Sequence, residues 1–131
     1  MPAGSSIKGY SHLLGECGQT FFATAKLAKK HKGPFPRNLD GAPFLLHGED
    51  AMVRVRLLRW FEEQQVRPRI VGEFDDGALL KAFGQVGIGI FAAPTTIADE
   101  VMAQYGVVPI GRTEAVVERF YAISAQRRLT P

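Results

Sequence analysis

Residues 43–74, PFLLHGEDAMVRVRLLRWFEEQQVRPRIVGEF, carry the reading of the fold. PFLLH at 43–47 is an apolar run short enough for a buried strand. From 51 to 65 the spacing changes. Val53, Leu57 and Phe61 recur every fourth residue, with Met52, Trp60 and Gln64 beside them, which predicts an amphipathic helix. Glu49 or Asp50 stands where a carboxylate can accept the free N–H groups at that helix's start. Pro68 stops the helix, since proline lacks an N–H and clashes with the preceding turn. RIVGEF at 69–74 follows as the next strand. Val55 and Leu58 lie off the main stripe, so the helix is apolar over more surface than one core face uses. A second packing partner is implied.

The alternation continues on both sides. Upstream, QTFFATA at 19–25 reads as a strand, residues 26–32 as a basic helix-compatible segment, and the Gly-Pro-rich stretch 33–38 as a turn. Downstream, Asp75 and Asp76 open a short helix to Phe83 with Ala78, Leu79, Ala82 and Phe83 as its apolar face, and Gly84 or Gly87 ends it. IGIFAA at 88–93 is a strand. Thr96 with Asp99 resembles a capping box for a helix reaching Tyr105 and Gly106. Further strands are expected at 107–110 and, after a short segment at 113–119, at 120–125. Strands alternating with helices predict an α/β sandwich on a largely parallel sheet. Ligands in such folds bind at the carboxyl ends of strands, here the loops 47–50, 74–76 and 94–96.

With 131 residues the chain fits one domain that can bury a core without disulfides or metals. A formal charge of +3 is too mild for a nucleic-acid signature. No apolar run is long enough to span a membrane, residues 1–6 carry no signal-peptide pattern, and Cys17 is a lone thiol, so a reducing cytoplasm is expected.

The motifs that could carry chemistry fail on order or spacing. Residues 84–89 (GQVGIG) lie between a helix and the next strand, whereas a dinucleotide fingerprint needs strand, glycines, then helix. Those glycines are expected to end a helix and let backbone pack closely. Cys17 has His12 near it only in sequence, which does not make a nucleophile and base, and no GxSxG elbow exists. His12, His31 and His47 show no metal-ligand spacing. Glu49, Asp50, Glu73, Asp75 and Asp76 cluster at helix starts, where they serve as caps or as oxygen ligands for a hard cation. Arg54, Arg56 and Arg59 decorate a helix that follows a strand rather than a tight helical turn, so they read as solvated or interface groups, not a DNA-reading face. Neither catalysis nor a cofactor is expected.

Seven segments together resemble the effector domain of LysR-type transcriptional regulators, closest to the branch that activates sodium/proton antiporter genes. They are GECG at 15–18, WF at 60–61, GEFDD at 72–76, ALLKAFG at 78–84, IFAAPT at 90–95, IGR at 110–112 and YAISAQRR at 121–128. The resemblance implies a Rossmann-like three-layer lobe of the type II periplasmic-binding-protein kind. Residues 1–18 would be a crossover from a first lobe outside this chain, 19–119 the second regulatory lobe, and 120–131 the returning crossover strand. It implies a small-molecule or ion effector in the cleft between lobes, touching Gly48, Glu49, Asp50, Ala51 and Met52, with Asp75 and Asp76 facing the same hinge. A lone lobe should then bind weakly, because affinity depends on enclosing the ligand. It further implies a homodimer or tetramer built through helix 51–65 and strand 69–74. DNA contact would come only through a separate N-terminal winged helix-turn-helix, and RNA polymerase would be a partner of the parent protein. A lobe of a transport-type solute-binding protein is the alternative.

Overall fold

The structure is a computed structural model describing residues 11–123. Residues 1–10, and 124–131 with the end of YAISAQRR and of the expected strand 120–125, lie outside the described residues. So does the side chain of His12.

Alternation of burial along the strands builds the core. β1 (Ser11–Ala23), β2 (Pro43–His47), β3 (Arg69–Phe74), β4 (Phe91–Pro94) and β5 (Val108–Ile123) are interleaved with α1 (Ala25–Lys30), α2 (Met52–Gln64), α3 (Gly77–Gln85) and α4 (Ala98–Tyr105). Phe21, Phe44, Leu46 and Ala92 point to one face of the sheet, where they meet Val53, Leu57, Trp60 and Phe61 of α2. Phe22, Leu45, Phe91 and Ala93 point to the other, where they meet Leu80 of α3 and Val101 of α4. A strand covered on both faces reads as a continuous apolar run, which is why PFLLH and IFAA show no polar alternation. Each fully buried Leu or Phe contributes roughly 1.5–3 kcal/mol relative to exposure.

β2 and β3 pair in parallel, β4 pairs antiparallel with β1, and β1 pairs antiparallel with β5. A parallel bridge from Phe44 to Ile90, closed by Leu45 N–H to the Ile90 carbonyl at 2.8 Å, joins the two sets in the order β3-β2-β4-β1-β5. Among the described strands β1 alone runs against the others. It pairs antiparallel with β5 from Ser11 to Ala23. Both strands are longer than the sequence suggests, because β1 begins upstream of Gly18 and β5 joins the two expected strands into one.

Three local expectations are corrected. Neither Glu49 nor Asp50 caps α2: its N-cap is Ala51, and both carboxylates sit in an exposed turn. Thr96 does not cap α4, since a 3-10 turn at Thr95–Ile97 precedes it and makes Ile97 the N-cap. On α3 the inward residues are Leu80 and Gly84, whereas Leu79 and Phe83 are 49% and 40% exposed. The helix is apolar on both sides, so periodicity cannot choose, and the decision falls to fit. Gly84 lies so close to β4 that an added Cβ would collide with the Phe91 ring, and Phe83 instead packs on Phe74 at 5.0 Å.

That fit gives a test. Phe91 is fully buried and has nowhere to turn. Gly84→Ala should therefore destabilise the chain by about 1–3 kcal/mol in urea denaturation. Gly15→Ala, with no atom near its new Cβ, should stay within about 0.5 kcal/mol of the parent.

Candidate functional site

The parallel pair β2–β3 ends in two loops that touch. Gly48 N–H donates to the Phe74 carbonyl at 2.8 Å, and the Asp75 carboxylate lies where a Cβ of Gly48 would be. The loops 47–50 and 74–76 are therefore adjacent, as expected at the carboxyl end of parallel strands. Their carboxylates do not converge. Asp76 accepts from Ala78 N–H at 2.8 Å as the N-cap of α3, and Glu73 accepts from Arg54 at 2.7 Å. Among the described residues no group of three or more His, Cys, Asp or Glu could hold a metal ion.

A cavity of about 350 Å³ opens beside these loops, lined by His47, Ala51, Met52, Val53, Arg56, Glu118 and Arg119. Two of the expected site residues, Ala51 and Met52, line it. Gly48, Glu49, Asp50, Asp75 and Asp76 do not line it: Gly48 is buried and the four carboxylate residues are exposed. One wall is the start of α2, where Arg54 N–H bonds the Ala51 carbonyl at 3.1 Å and no side chain caps the N–H groups of Met52 and Val53. The opposite wall is β5.

β5 reaches this wall through a bulge. Cys17 is opposite Glu118 and Gln19 is opposite Thr113, so residues 114–117 loop out against Gly18 alone. Gly18 has to be glycine for this, because a Cβ would collide with the Thr113 carbonyl and Glu114. The bulge drops Val116 into the core under α2. Arg56 Nη1 donates to the Val117 carbonyl at 2.8 Å, and Gln19 Nε2 donates to Glu118 Oε1 at 3.0 Å. Arg119 faces Glu16 at 3.6 Å. Sequence reasoning missed Glu118, Arg119 and Arg56 as lining groups. They come together only because the bulge carries the far end of the chain onto α2, and no local pattern announces it.

His47 Nδ1, on a residue that lines the cavity, is buried without a hydrogen-bond partner among the described residues, and so is Gln19 Oε1, on a side chain with no exposed surface. Burial, reinforced by the Lys81 ammonium, pushes His47 from 6.5 down to about 4, so it is neutral at physiological pH. Arg54 donates to the His47 carbonyl at 3.0 Å, fixing the end of β2 to α2. Cys17 is half-buried, with its Sγ 3.8 Å from Thr96 Oγ1.

The chain belongs to the LysR substrate binding domain family, which it matches over residues 10–131. It is 42% identical over 120 residues to the transcriptional activator protein NhaR of Escherichia coli strain K12, covering 92% of this chain and 39% of that protein. The chain thus spans about two fifths of the curated relatives it matches and corresponds to their effector-binding part. Its fold is that of LysR regulatory domains, with a periplasmic-binding-protein-like α/β architecture. The CcmR regulatory domain of Synechocystis PCC6803, solved in complex with 2-PG, superposes with a TM-score of 0.68 at 17% identity, over 94% of this chain and 60% of that one. The regulatory domain of the HypT M206Q mutant from Salmonella typhimurium gives 0.68 at 13%, over 92% and 60%. A transport-type solute-binding lobe is not favoured, because the matching family and relatives are regulators. No helix among the described residues is long and apolar enough to cross a membrane.

The depressed His47 sets a pH dependence. The unfolded chain takes up this proton near pH 6.5 and the folded protein only near pH 4, so stability falls as pH drops through that window. His47→Gln should remove ~3 kcal/mol of the stability lost between pH 7 and pH 4, read from urea melts of both proteins across that range.

Proposed function

We propose that this chain is the effector-sensing and pairing part of a transcriptional activator similar to NhaR, with the cavity at the start of α2 as its effector site. The observation that carries this reading is that the α2 N-terminus and the β5 strand enclose one cavity of about 350 Å³, a size suited to a small ligand. Gly48, Glu49, Asp50, Ala51 and Met52 form the near side of the site, with Asp75 and Asp76 at its rim. The effector is a small molecule or ion, or the signal is cation concentration or pH. In this reading residues 1–18 and 120–131 are crossovers to another lobe, which completes the cleft, and residues 19–119 are the second regulatory lobe. Catalysis and a bound cofactor play no part. The parent protein acts in the cytoplasm, contacts DNA through a separate domain and engages RNA polymerase there. An Ala51→Trp variant, which fills the cavity mouth, should lose any ligand-induced rise in melting temperature that the parent chain shows. Retention of the rise in that variant would move the site elsewhere.

The same chain offers a pairing surface. Val55, Leu58, Ile70 and Val71 are exposed along α2 and β3, and β3 pairs only with β2 among the described residues. An open strand edge flanked by apolar side chains invites a partner. The proposed partner is a second copy, packed antiparallel through helix 51–65 and strand 69–74, as a homodimer or within a tetramer. Sedimentation at about 100 μM should show association that Leu58→Glu abolishes, while a parent chain that is monomeric at every concentration would count against the surface.

A further inference from the structure

We infer that the effector of this cavity is a small zwitterion of the α-amino-acid type, and that Glu118, held by the buried Gln19, is the residue that selects it. The inference rests on the effector-site reading above and names the ligand's chemistry.

The cavity wall presents charge of both signs in fixed places. On the α2 side, Arg54 N–H is taken up by the Ala51 carbonyl at 3.1 Å, the N–H groups of Met52 and Val53 have no side-chain cap, and Ala51, Met52 and Val53 line the space directly. Such a helix start favours an anionic group. Arg56 stands on the same helix, but Nη1 of its guanidinium is already committed to the Val117 carbonyl at 2.8 Å. On the β5 side, Glu118 puts a carboxylate into the same space. Its orientation is imposed from below by Gln19, a side chain with no exposed surface whose Nε2 donates to Glu118 Oε1 at 3.0 Å. The donor role fixes which end of the Gln19 amide faces Glu118, because a carboxylate accepts and never donates in its ionised form. The remaining end, Oε1, is left as a buried acceptor with no partner among the described residues.

Opposite signs across one small cavity discriminate by exclusion as well as by attraction. A simple carboxylate meets the helix start favourably but stands against Glu118. A simple ammonium meets Glu118 but faces Arg56, Arg119 and the positive end of α2. A ligand with a carboxylate and an ammonium a few ångströms apart satisfies both walls, and the neutral His47 adds no net charge to either. The volume of about 350 Å³ leaves room for a modest side chain against Met52 and Val53.

The test is a melting-temperature screen of this chain with the twenty proteinogenic amino acids, sodium chloride against potassium chloride, and, for each amino acid that shifts the melt, its deaminated and decarboxylated counterparts. For L-valine these are isovalerate and isobutylamine. At least one amino acid should raise the melting temperature with a dissociation constant of about millimolar strength, as befits a single lobe. Each counterpart should bind about tenfold more weakly or worse. In Glu118→Gln, which keeps shape and removes the charge, that preference should shrink to about threefold or less, with the carboxylate counterpart gaining relative to the amino acid. Gln19→Leu, which withdraws the support, should weaken the amino acid while circular dichroism stays at the parent's value. Overturning results are equal binding of the carboxylate counterpart in the parent chain, an undiminished preference in Glu118→Gln, or no amino acid shifting the melt. A shift by sodium alone that Ala51→Trp removes would overturn the zwitterion and keep the cavity as the effector site. Shifts by any ligand that persist in Ala51→Trp would overturn both.

Discussion

β2 is buried on both faces, and the rest of the molecule is arranged around that constraint. Phe44 and Leu46 need one apolar cover and Leu45 another. The first cover is α2, tied down by a ring cluster in which Phe21 stacks on Trp60 at 5.6 Å and Phe44 meets Phe61 edge-on at 5.2 Å. The second is α3, brought close by the absence of a side chain at Gly84. Rings packed at these distances tolerate little sliding, so the register of α2 on the sheet is set by its C-terminal half. The position of its N-terminus follows as a consequence.

The cavity belongs to that N-terminus, but its other wall is supplied from far along the chain. β1 and β5 pair over nearly their whole length, and the interruption at Gly18 lets residues 114–117 swing toward α2. Val116 enters the core, Arg56 holds the Val117 carbonyl and Gln19 holds Glu118. A movement of β5 relative to β1 would therefore be felt at the start of α2, and a ligand bound there would bear on both crossing strands. The residues that line the cavity are thus also the ones that tie α2 to β1 and β5.

Much of the fold is legible in the chain. β2, α2 and β3 stand where apolar spacing and Pro68 put them, and Asp76 caps α3 as an aspartate before a helix should. The extent of β1 and β5 is less legible, since residues 11–18 and the segment joining the two expected strands of β5 carry no strong apolar pattern and are strands only because they pair with each other. The inward face of α3 is not legible, because apolar residues surround it and contact with Phe91 decides. Of the site, the loops 47–50 and 74–76 follow from strand order alone. Arg56, Glu118 and Arg119 do not, because their approach depends on a bulge set by one glycine and one buried valine.

By itself the sequence determined the alternation of elements, the two-faced burial of the central strands and, through the segments GEFDD and IFAAPT, the family. Those depend on local spacing and side-chain identity, which a chain carries before it folds. Only the tertiary structure decided that β1 runs against its neighbours, that Leu80 rather than Leu79 enters the core, and that Glu118, held by Gln19, shares one cavity with the start of α2. These outcomes depend on long-range pairing and close packing, where a fit of a few ångströms between distant residues selects among arrangements that local spacing leaves equal.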